Sequence, residues 1–374
     1  MASPHGPSPG DPARGNIIPF PAAAIRRPPP VFHTRPALPE RTSTPRPLGL
    51  GWIVVLALVT VSIAGLALLG TSWLEVQRFS RKIERIPGAF TQPEADRPAK
   101  PLATERSVNL LVAGLDGDDR ANAERGARSD AIMVLHLDAD REKAWLVSIP
   151  RDAWVSIPGH GENKANAAYS LGGPALFVQT LEQMTALRFD HLVVIDWTGF
   201  RRLTDAMGGV PLSLGAANAV TPDSGAAGVA LEMSGNMALE YVSARKTLPN
   251  GDFDRIRRQQ HYLRALLARA LERHTLSEPA AVRDVAVALG EAVRVDAGLT
   301  TAELMRIVDA TRRLGIDDVT FLTAPVSHTG QEGEASVVYC DDVRCTQLWD
   351  ALAHDEMPSF VAAHPELVTP RDVN

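Results

Sequence analysis

The sequence Val108-Asn-Leu-Leu-Val-Ala-Gly114 is an apolar run that ends in glycine, and an acidic loop, Leu115 to Arg120, follows it. An apolar run of this length without helical spacing predicts a buried strand. This strand decides the fold, because the segments predicted beyond it alternate between strands and helices.

Further strands and helices follow this first strand along the chain. Two apolar runs, 131–137 and 144–149, predict a hairpin that turns at Asp138-Ala-Asp-Arg141, and other strands are predicted at 190–196, 319–325 and 336–340. Helical patterns occupy 174–187, 200–207, 253–271, 280–293, 301–314 and 343–353. Strands that alternate with helices predict an α/β layered domain built on one mixed sheet.

An arginine-rich segment, Asp252-Phe-Asp-Arg-Ile-Arg-Arg-Gln-Gln260, follows a Pro-Asn-Gly turn. Asp252 stands at an N-cap position, and a helix is predicted from Phe253. At 100° per residue, Arg255 and Gln259 share the face that carries the later apolar residues. One interpretation is a buried ion pair of Arg255 with Asp252 or Asp254. The other is an anion clamp, with Arg255 and Gln259 on one phosphate and Arg245 on its neighbour.

Charged side chains also gather at the ends of the predicted strands. Asp116 follows the first strand, Arg128-Ser129-Asp130 precedes the second, and Arg151-Asp152 follows the third. Ligands of open α/β sheets bind outside the carboxyl ends of the strands. Two carboxylates and several arginines are suited to a diphosphate held with a divalent cation, for which Mg²⁺ needs only one or two carboxylates.

The N-terminal part of the chain differs in composition from this domain. Residues 1–47 hold 13 of the 28 prolines and are predicted to be a disordered tail. Residues 48–74 are uncharged and long enough to span a bilayer once, with Trp52 and Trp73 near the two interfaces. Residues 75–104 are predicted to be a short stalk and linker. Basic residues lie on both sides of the span, so they do not decide its orientation.

The whole chain has 374 residues and a net charge of −6. This mildly acidic balance gives no reason to expect a nucleic acid partner. The folded domain is predicted over 105–355, with a C-terminal tail over 356–374.

The domain resembles the LytR-CpsA-Psr envelope proteins over roughly residues 105–355. The matching segments occur in order and with compatible spacing. They are 109–116, Arg128-Ser-Asp130, 147–152, Lys164-Ala-Asn-Ala-Ala-Tyr169 with Gly172-Gly173, Asp190-His191, 196–200, 208–210, and Arg245 through Gln260.

The resemblance implies a phosphotransferase that moves a glycan phosphate from a polyprenyl-diphosphate carrier to peptidoglycan outside the cytoplasmic membrane. It also implies a layered α/β/α domain with a central mixed sheet and an apolar lipid cleft, a single membrane span, and an N-terminus in the cytoplasm. Carried over by position, Asp116 and Asp130 hold Mg²⁺. The residues that grip the diphosphate are Arg128, Arg151, Arg245, Arg255 and Gln259.

One position departs from the family pattern. Ser243 stands where family members often carry a second arginine, two positions before Arg245. The Ala-rich and Arg-rich composition and the Pro-rich tail resemble the actinobacterial branch of the family. The residue that takes the acceptor proton stays open among Asp116, Asp130 and Asp152.

Two other functions remain open on the sequence. One is a regulator that binds polyprenyl diphosphate without chemistry. The other is a Mg²⁺-dependent phosphohydrolase that uses Asp116 as its nucleophile.

Two structural expectations complete the sequence analysis. The lipid cleft is expected among Phe177, Leu181, Leu203, Leu263 and Leu267. Cys340 and Cys345 are close enough in sequence to form a disulfide in an oxidising compartment, and two buried thiols are the alternative.

Overall fold

A computed structural model of the chain describes residues 83–115, 129–213, 230–244, 248–271, 279–311 and 314–371. The predicted tail and membrane span, residues 1–74, lie outside these ranges. Within the ranges, no helix combines the length and the apolar character that crossing a membrane requires.

Thirteen strands and eight helices, numbered in chain order, are assigned in the described ranges. The strands are β1 Glu84–Ile86, β2 Val108–Leu115, β3 Ser129–Leu137, β4 Ala144–Ile149, β5 Trp154–Ile157, β6 Gly161–Lys164, β7 His191–Ile195, β8 Val210–Ser213, β9 Ala230–Met233, β10 Val293–Asp296, β11 Val319–Thr323, β12 Val326–Glu332 and β13 Ala335–Cys340. The helices are α1 Ala167–Thr185, α2 Trp197–Ala206, α3 Gly235–Ser243, α4 Asp252–Leu271, α5 Pro279–Ala292, α6 Thr301–Ala310, α7 Asp342–Ala353 and α8 Met357–Ala363.

The described residues form a seven-stranded mixed sheet in the order β1-β10-β7-β2-β3-β4-β11. Strand β2 at its centre is parallel to β7 and antiparallel to β3, and β4 is parallel to β11. Three two-stranded sheets, β5-β6, β8-β9 and β12-β13, accompany it. The predicted β3-β4 hairpin is confirmed.

Each face of the sheet has its own hydrophobic core, because successive side chains of a strand point to opposite faces. Leu110 and Val112 of β2 pack in a core with α2 to α6. Leu111 and Ala113 pack in a second core with α1, α7 and α8. The domain therefore has the three α/β/α layers that the family resemblance implies.

Two segments outside the predicted domain boundaries contribute to the fold. Residues 84–86, placed in the predicted linker, form β1 and pair in parallel with β10. In the predicted C-terminal tail, Met357 and Phe360 are buried in the second core. The backbone amide of Thr369 also donates to Phe321 O at 2.8 Å.

The five residues expected to line one apolar cleft are buried in two different cores. Phe177 and Leu181 lie in the core with α1. Leu203, Leu263 and Leu267 lie in the core on the opposite face of the sheet. The expectation of one common cleft lined by these residues is therefore wrong, because a sequence does not show which face of the sheet an apolar residue packs on.

The predicted disulfide is also wrong, since Cys340 and Cys345 are free thiols. A hydrogen bond between the two thiols lowers the pKa of Cys340. The same bond, together with burial, raises the pKa of Cys345. The structure therefore shows the alternative given above, in which both cysteines are thiols, and Cys345 is the buried one of the two.

Candidate functional site

The carboxyl ends of β2 and β4 meet the start of β3 at one edge of the sheet. Ser129 pairs with Leu115, and Ile149 pairs with Ile132. Asp130 on β3 and Arg151, two residues beyond the end of β4, are therefore brought together, as the sequence predicted. Asp116, Arg128 and Arg245 lie outside the described residues.

A pocket of about 960 Å³ opens at this edge. The start of α4, the β5-β6 hairpin, the start of α1 and the tip of β13 surround it. Its lining residues are Asp130, Arg151, Asp152, Asn163, Lys164, Asn166, Ala167, Ser170, Leu171, Leu248, Pro249, Gly251, Asp252, Ala335 and Ser336.

Arg151 is the centre of the charged part of this pocket. Its Nη1 forms an ion pair with Asp130, whose side chain is 4% exposed. Its Nε lies 3.7 Å from Asp252 Oδ1 and 3.8 Å from Asp152 Oδ2. Burial alone lowers the pKa of Arg151, but the fields of Asp130, Asp252 and Asp152 and the hydrogen bond to Asp130 raise it overall. Arg151 is therefore a permanently charged guanidinium among carboxylates.

One donor of Arg151 remains unused within the described part of the chain. Its Nε is buried and has no hydrogen-bond partner among those residues. A buried N–H group without a partner costs free energy, and an anionic ligand in the pocket is a suitable acceptor.

Arg255 lies behind the pocket wall with a side chain that is 2% exposed. Its Nη2 is 2.6 Å from Asp252 Oδ1 and donates to Asp130 O at 3.4 Å. The ion pair with Asp252 that the sequence suggested is therefore present. The helix begins at Asp252, one residue earlier than predicted, so Asp252 is its first residue and not its N-cap.

Gln259 is also buried away from the pocket surface. Its Nε2 donates to Val242 O at 3.3 Å, and its side chain is 1% exposed. Arg255 and Gln259 share one face of the helix as predicted, because α4 continues through both residues, and both are buried. Neither Arg255 nor Gln259 is among the residues that line the pocket.

Several pocket residues have roles that the sequence did not assign. Asp252 links Arg255 to Arg151, and Lys164 Nζ lies 3.0 Å from Asp152 Oδ1. The pair of Asp252 with Arg255 was one of the two sequence interpretations, and only the contact of Asp252 with Arg151 was not assigned. The contact between Asp152 and Lys164 depends on the β5-β6 hairpin, which has no apolar alternation to reveal it.

Within the described ranges, no group of three or more His, Cys, Asp or Glu residues could hold a metal ion. Asp130 brings one carboxylate to the pocket, and its predicted partner Asp116 lies outside those ranges. A carboxylate oxygen beside a pocket suits Mg²⁺, which takes its remaining ligands from phosphate and water.

The chain is similar to proteins of the cell envelope. A model of the LytR_cpsA_psr family matches residues 80–354. The cell wall biosynthesis protein LcpA of Corynebacterium glutamicum is 34% identical over 266 residues, which are 63% of this chain and 49% of LcpA. The polyisoprenyl-teichoic acid–peptidoglycan teichoic acid transferase TagU of Halalkalibacterium halodurans is 32% identical over 196 residues, 52% of this chain and 62% of TagU.

A solved structure shares the fold. TagT of B. subtilis superposes with a TM-score of 0.56 and 21% identity, over 72% of this chain and 99% of that one. The chain thus aligns with about half of LcpA and somewhat more of TagU. Because the family model covers most of the sequence, from residue 80 to residue 354, the chain belongs to the LytR-CpsA-Psr family.

Proposed function

We propose that the chain is a phosphotransferase that moves a glycan phosphate from a polyprenyl-diphosphate carrier to peptidoglycan. The observation that carries the proposal is the position of Arg151, a guanidinium that is 13% exposed and lines a pocket of about 960 Å³ at the edge of the sheet. Guanidinium groups bind phosphate oxygens with strong, charge-assisted hydrogen bonds. The name of TagU describes the transfer of a lipid-linked polymer to peptidoglycan, which matches the donor and the acceptor of the proposed reaction.

The reaction forms one bond and breaks one bond at phosphorus. The acceptor hydroxyl oxygen bonds to the sugar-proximal phosphorus, and the phosphorus–oxygen bond to polyprenyl phosphate breaks. Charge accumulates on the bridging and equatorial oxygens, where Arg151 stabilises it with Arg128 and Arg245. Arg255 and Gln259 support this site from behind, since Arg255 fixes Asp252 beside Arg151.

Asp116 and Asp130 are the residues that would hold Mg²⁺. An ion held by these two residues would neutralise part of the charge of the diphosphate. In the present arrangement Asp130 is paired with Arg151. The Asp130 carboxylate therefore neutralises the positive charge of Arg151 until a bound diphosphate takes over that role.

The location of the protein is part of the same proposal. Residues 48–74 cross the cytoplasmic membrane once, residues 1–47 lie in the cytoplasm, and the domain faces the outside. The uncharged, apolar composition of residues 48–74 supports the span. The orientation rests on the proposed reaction, whose substrates lie outside the cytoplasmic membrane.

The test uses the purified full-length chain, a synthetic polyprenyl-diphosphate glycan, Mg²⁺ and peptidoglycan strands. We expect glycan phosphate on the strands and release of polyprenyl monophosphate, both detected by mass spectrometry. Lipid binding without turnover would support a binding regulator instead. Release of phosphate with an aspartyl-phosphate intermediate at Asp116 would support a hydrolase.

A further inference from the structure

The pocket has two chemically different sides. The side formed by Asp130, Arg151 and Asp252 carries charged groups in close contact. The other side, from the β5-β6 hairpin and the residue before α1, carries Asn163, Lys164 and Asn166. It adjoins the charged side, because Asn166 N donates to Arg151 O at 3.0 Å. Amide groups that both donate and accept hydrogen bonds are suited to the hydroxyl and acetamido groups of a glycan.

Asn166 supports this assignment. It stands at the N-cap position of α1, yet its side chain makes no capping hydrogen bond. The residue is only 6% exposed and still lines the pocket. The backbone of Asn166 is already helical, with φ −66° and ψ −21°, so its side chain does not cap α1. The amide is one of the polar groups that line the pocket.

Asp152 lies between the two sides. Its Oδ2 is 3.8 Å from Arg151 Nε, and its Oδ1 is 3.0 Å from Lys164 Nζ. Its backbone is fixed as well, because Val338 N of β13 donates to Asp152 O at 2.9 Å. The carboxylate is therefore held at the boundary where an acceptor hydroxyl would meet the donor phosphorus.

The other carboxylates of the pocket are engaged more closely. Asp130 is paired with Arg151 and is 4% exposed. Asp252 lies 2.6 Å from Arg255 Nη2. Asp152 is 20% exposed and has its nearest guanidinium beyond hydrogen-bond distance. Asp252 is exposed to nearly the same degree, 19%, but its carboxylate is engaged by the buried Arg255. A carboxylate that is held in place, lines the pocket and has no guanidinium within hydrogen-bond distance is suited to take a proton from a hydroxyl.

We propose that the wall formed by Asn163, Lys164 and Asn166 binds the acceptor glycan and that Asp152 is the general base of the transfer. This proposal rests on the proposed function. The acceptor O–H proton passes to an Asp152 oxygen as the hydroxyl oxygen bonds to phosphorus and polyprenyl phosphate departs.

The first experiment measures transfer and retained polyprenyl diphosphate in Asp152→Asn, with Asp140→Asn as the matched control. Asp140 is exposed in the β3-β4 turn, at the opposite edge of the sheet. We expect Asp152→Asn to lower kcat on the order of 10²–10⁴ while it keeps the lipid, and the control to match the wild type. Transfer by Asp152→Asn within threefold of the wild type would overturn the proposal.

The second experiment separates proton transfer from positioning. Formate is a small carboxylate that can enter the space left in Asp152→Ala. We expect formate to restore transfer at least tenfold in Asp152→Ala and to leave Asp152→Asn unchanged. If the folded Asp152→Ala retains lipid but does not respond to formate, the carboxylate only positions its neighbours and the base assignment fails.

The glycan wall has its own readout. Asn166→Ala should raise the KM for the peptidoglycan strand about fivefold and leave kcat and lipid retention unchanged, as expected for the loss of one hydrogen bond. An unchanged KM in the folded variant would remove the wall from the proposal. If the wild type itself shows no transfer, the proposed function fails. That failure is distinct from a failure of the roles of Asp152 and Asn166, which is seen only when the wild type transfers and the variants behave like it.

Discussion

Asp130 and Arg151 form one ion pair, but their removal should have opposite effects on the donor. Asp130→Asn removes a negative charge beside the pocket, so lipid retention should persist or rise, while transfer should fall on the order of 10²–10³. Arg151→Ala deletes a charge-assisted contact of about 1.5–3 kcal/mol, so retention should fall tenfold or more. Co-purified lipid and transfer are measured in the same preparations. Equal loss of lipid in two folded variants would contradict this division of roles.

Asp252 should contribute strongly to stability because its partner is buried. Asp252→Asn leaves the Arg255 guanidinium, 2% exposed, without its carboxylate. Loss of one partner of a buried pair costs about 3–5 kcal/mol, and we expect the lower end because Asp252 is 19% exposed. The measurement is the free energy of unfolding from urea denaturation.

Asp254→Asn is the matched control for Asp252→Asn, two positions along the same helix. Its partner Arg257 is 53% exposed, so that pair contributes little. Asp254 also accepts from Asn250 N at 2.8 Å, and the total loss should be about 1 kcal/mol. Equal losses of unfolding free energy in Asp252→Asn and Asp254→Asn would show that the burial of Arg255 does not increase the contribution of its ion pair to stability.

At the scale of elements, α2 and α5 approach so closely that Gly199 has no space for a side chain. A Cβ at Gly199 would lie 2.5 Å from the Cα of Ala292. Gly199→Ala should force the helices apart and lower the free energy of unfolding by about 1–3 kcal/mol. In Gly315→Ala the nearest atom is 3.7 Å away, so that control should change stability little. Comparable losses would contradict the close packing.

The chain beyond α7 is joined to the sheet by a carboxylate whose effect depends on pH. Asp355 Oδ1 lies 2.7 Å from His136 Nε2, and Ala139 N donates to Asp355 Oδ2 at 3.0 Å. Burial alone raises the pKa of Asp355, but the hydrogen bonds from His136 and Ala139 lower it overall. A lowered pKa means that this stabilisation is present above the unfolded-state value of about 3.9 and is lost as pH falls through the folded-state value.

Asp355→Asn tests that dependence. The difference in unfolding free energy between the wild type and Asp355→Asn should be largest near neutral pH. It should shrink as the pH falls below about 4, because unfolded wild type then binds a proton at Asp355 that folded wild type does not yet bind. It should reach its minimum once the folded carboxyl is protonated as well. Urea denaturation across pH 3 to 7 measures it. A difference that stays constant over this range would contradict the role of the charge.

For the whole molecule, the proposed topology predicts where the C-terminus lies. A reporter that is active only outside the cytoplasm, fused after Asn374, should be active in cells. A reporter that works only in the cytoplasm should be inactive at the same position. The reverse result would contradict the proposed orientation, and equal activity of both would contradict a single topology.

The sequence predicted the long elements of the fold well, because apolar runs such as 108–114 and the spacing of Arg255, Gln259 and Tyr262 reflect burial directly. It missed the short strands β1, β5, β6, β8, β9 and β10, which are three or four residues long and take their stability from neighbours rather than from their own pattern. It also missed the seven-residue strand β12 and the helices α3 and α8. For the site, the sequence predicted that Asp130 and Arg151 lie close together, because both stand at the ends of predicted strands. It could not show that Asp252 joins Arg151 to Arg255, since that contact depends on how α4 meets the sheet.

The position of β1 near the N-terminal end of the domain limits how far the domain can lie from the proposed membrane span. Strand β1 begins at Glu84, and nine residues, 75–83, separate it from the proposed membrane span. Nine fully extended residues cover at most about 30 Å. In the proposed topology, the domain is therefore confined to a thin layer above the bilayer, where it meets lipid-linked donors by lateral diffusion and can modify only the glycan strands nearest the membrane.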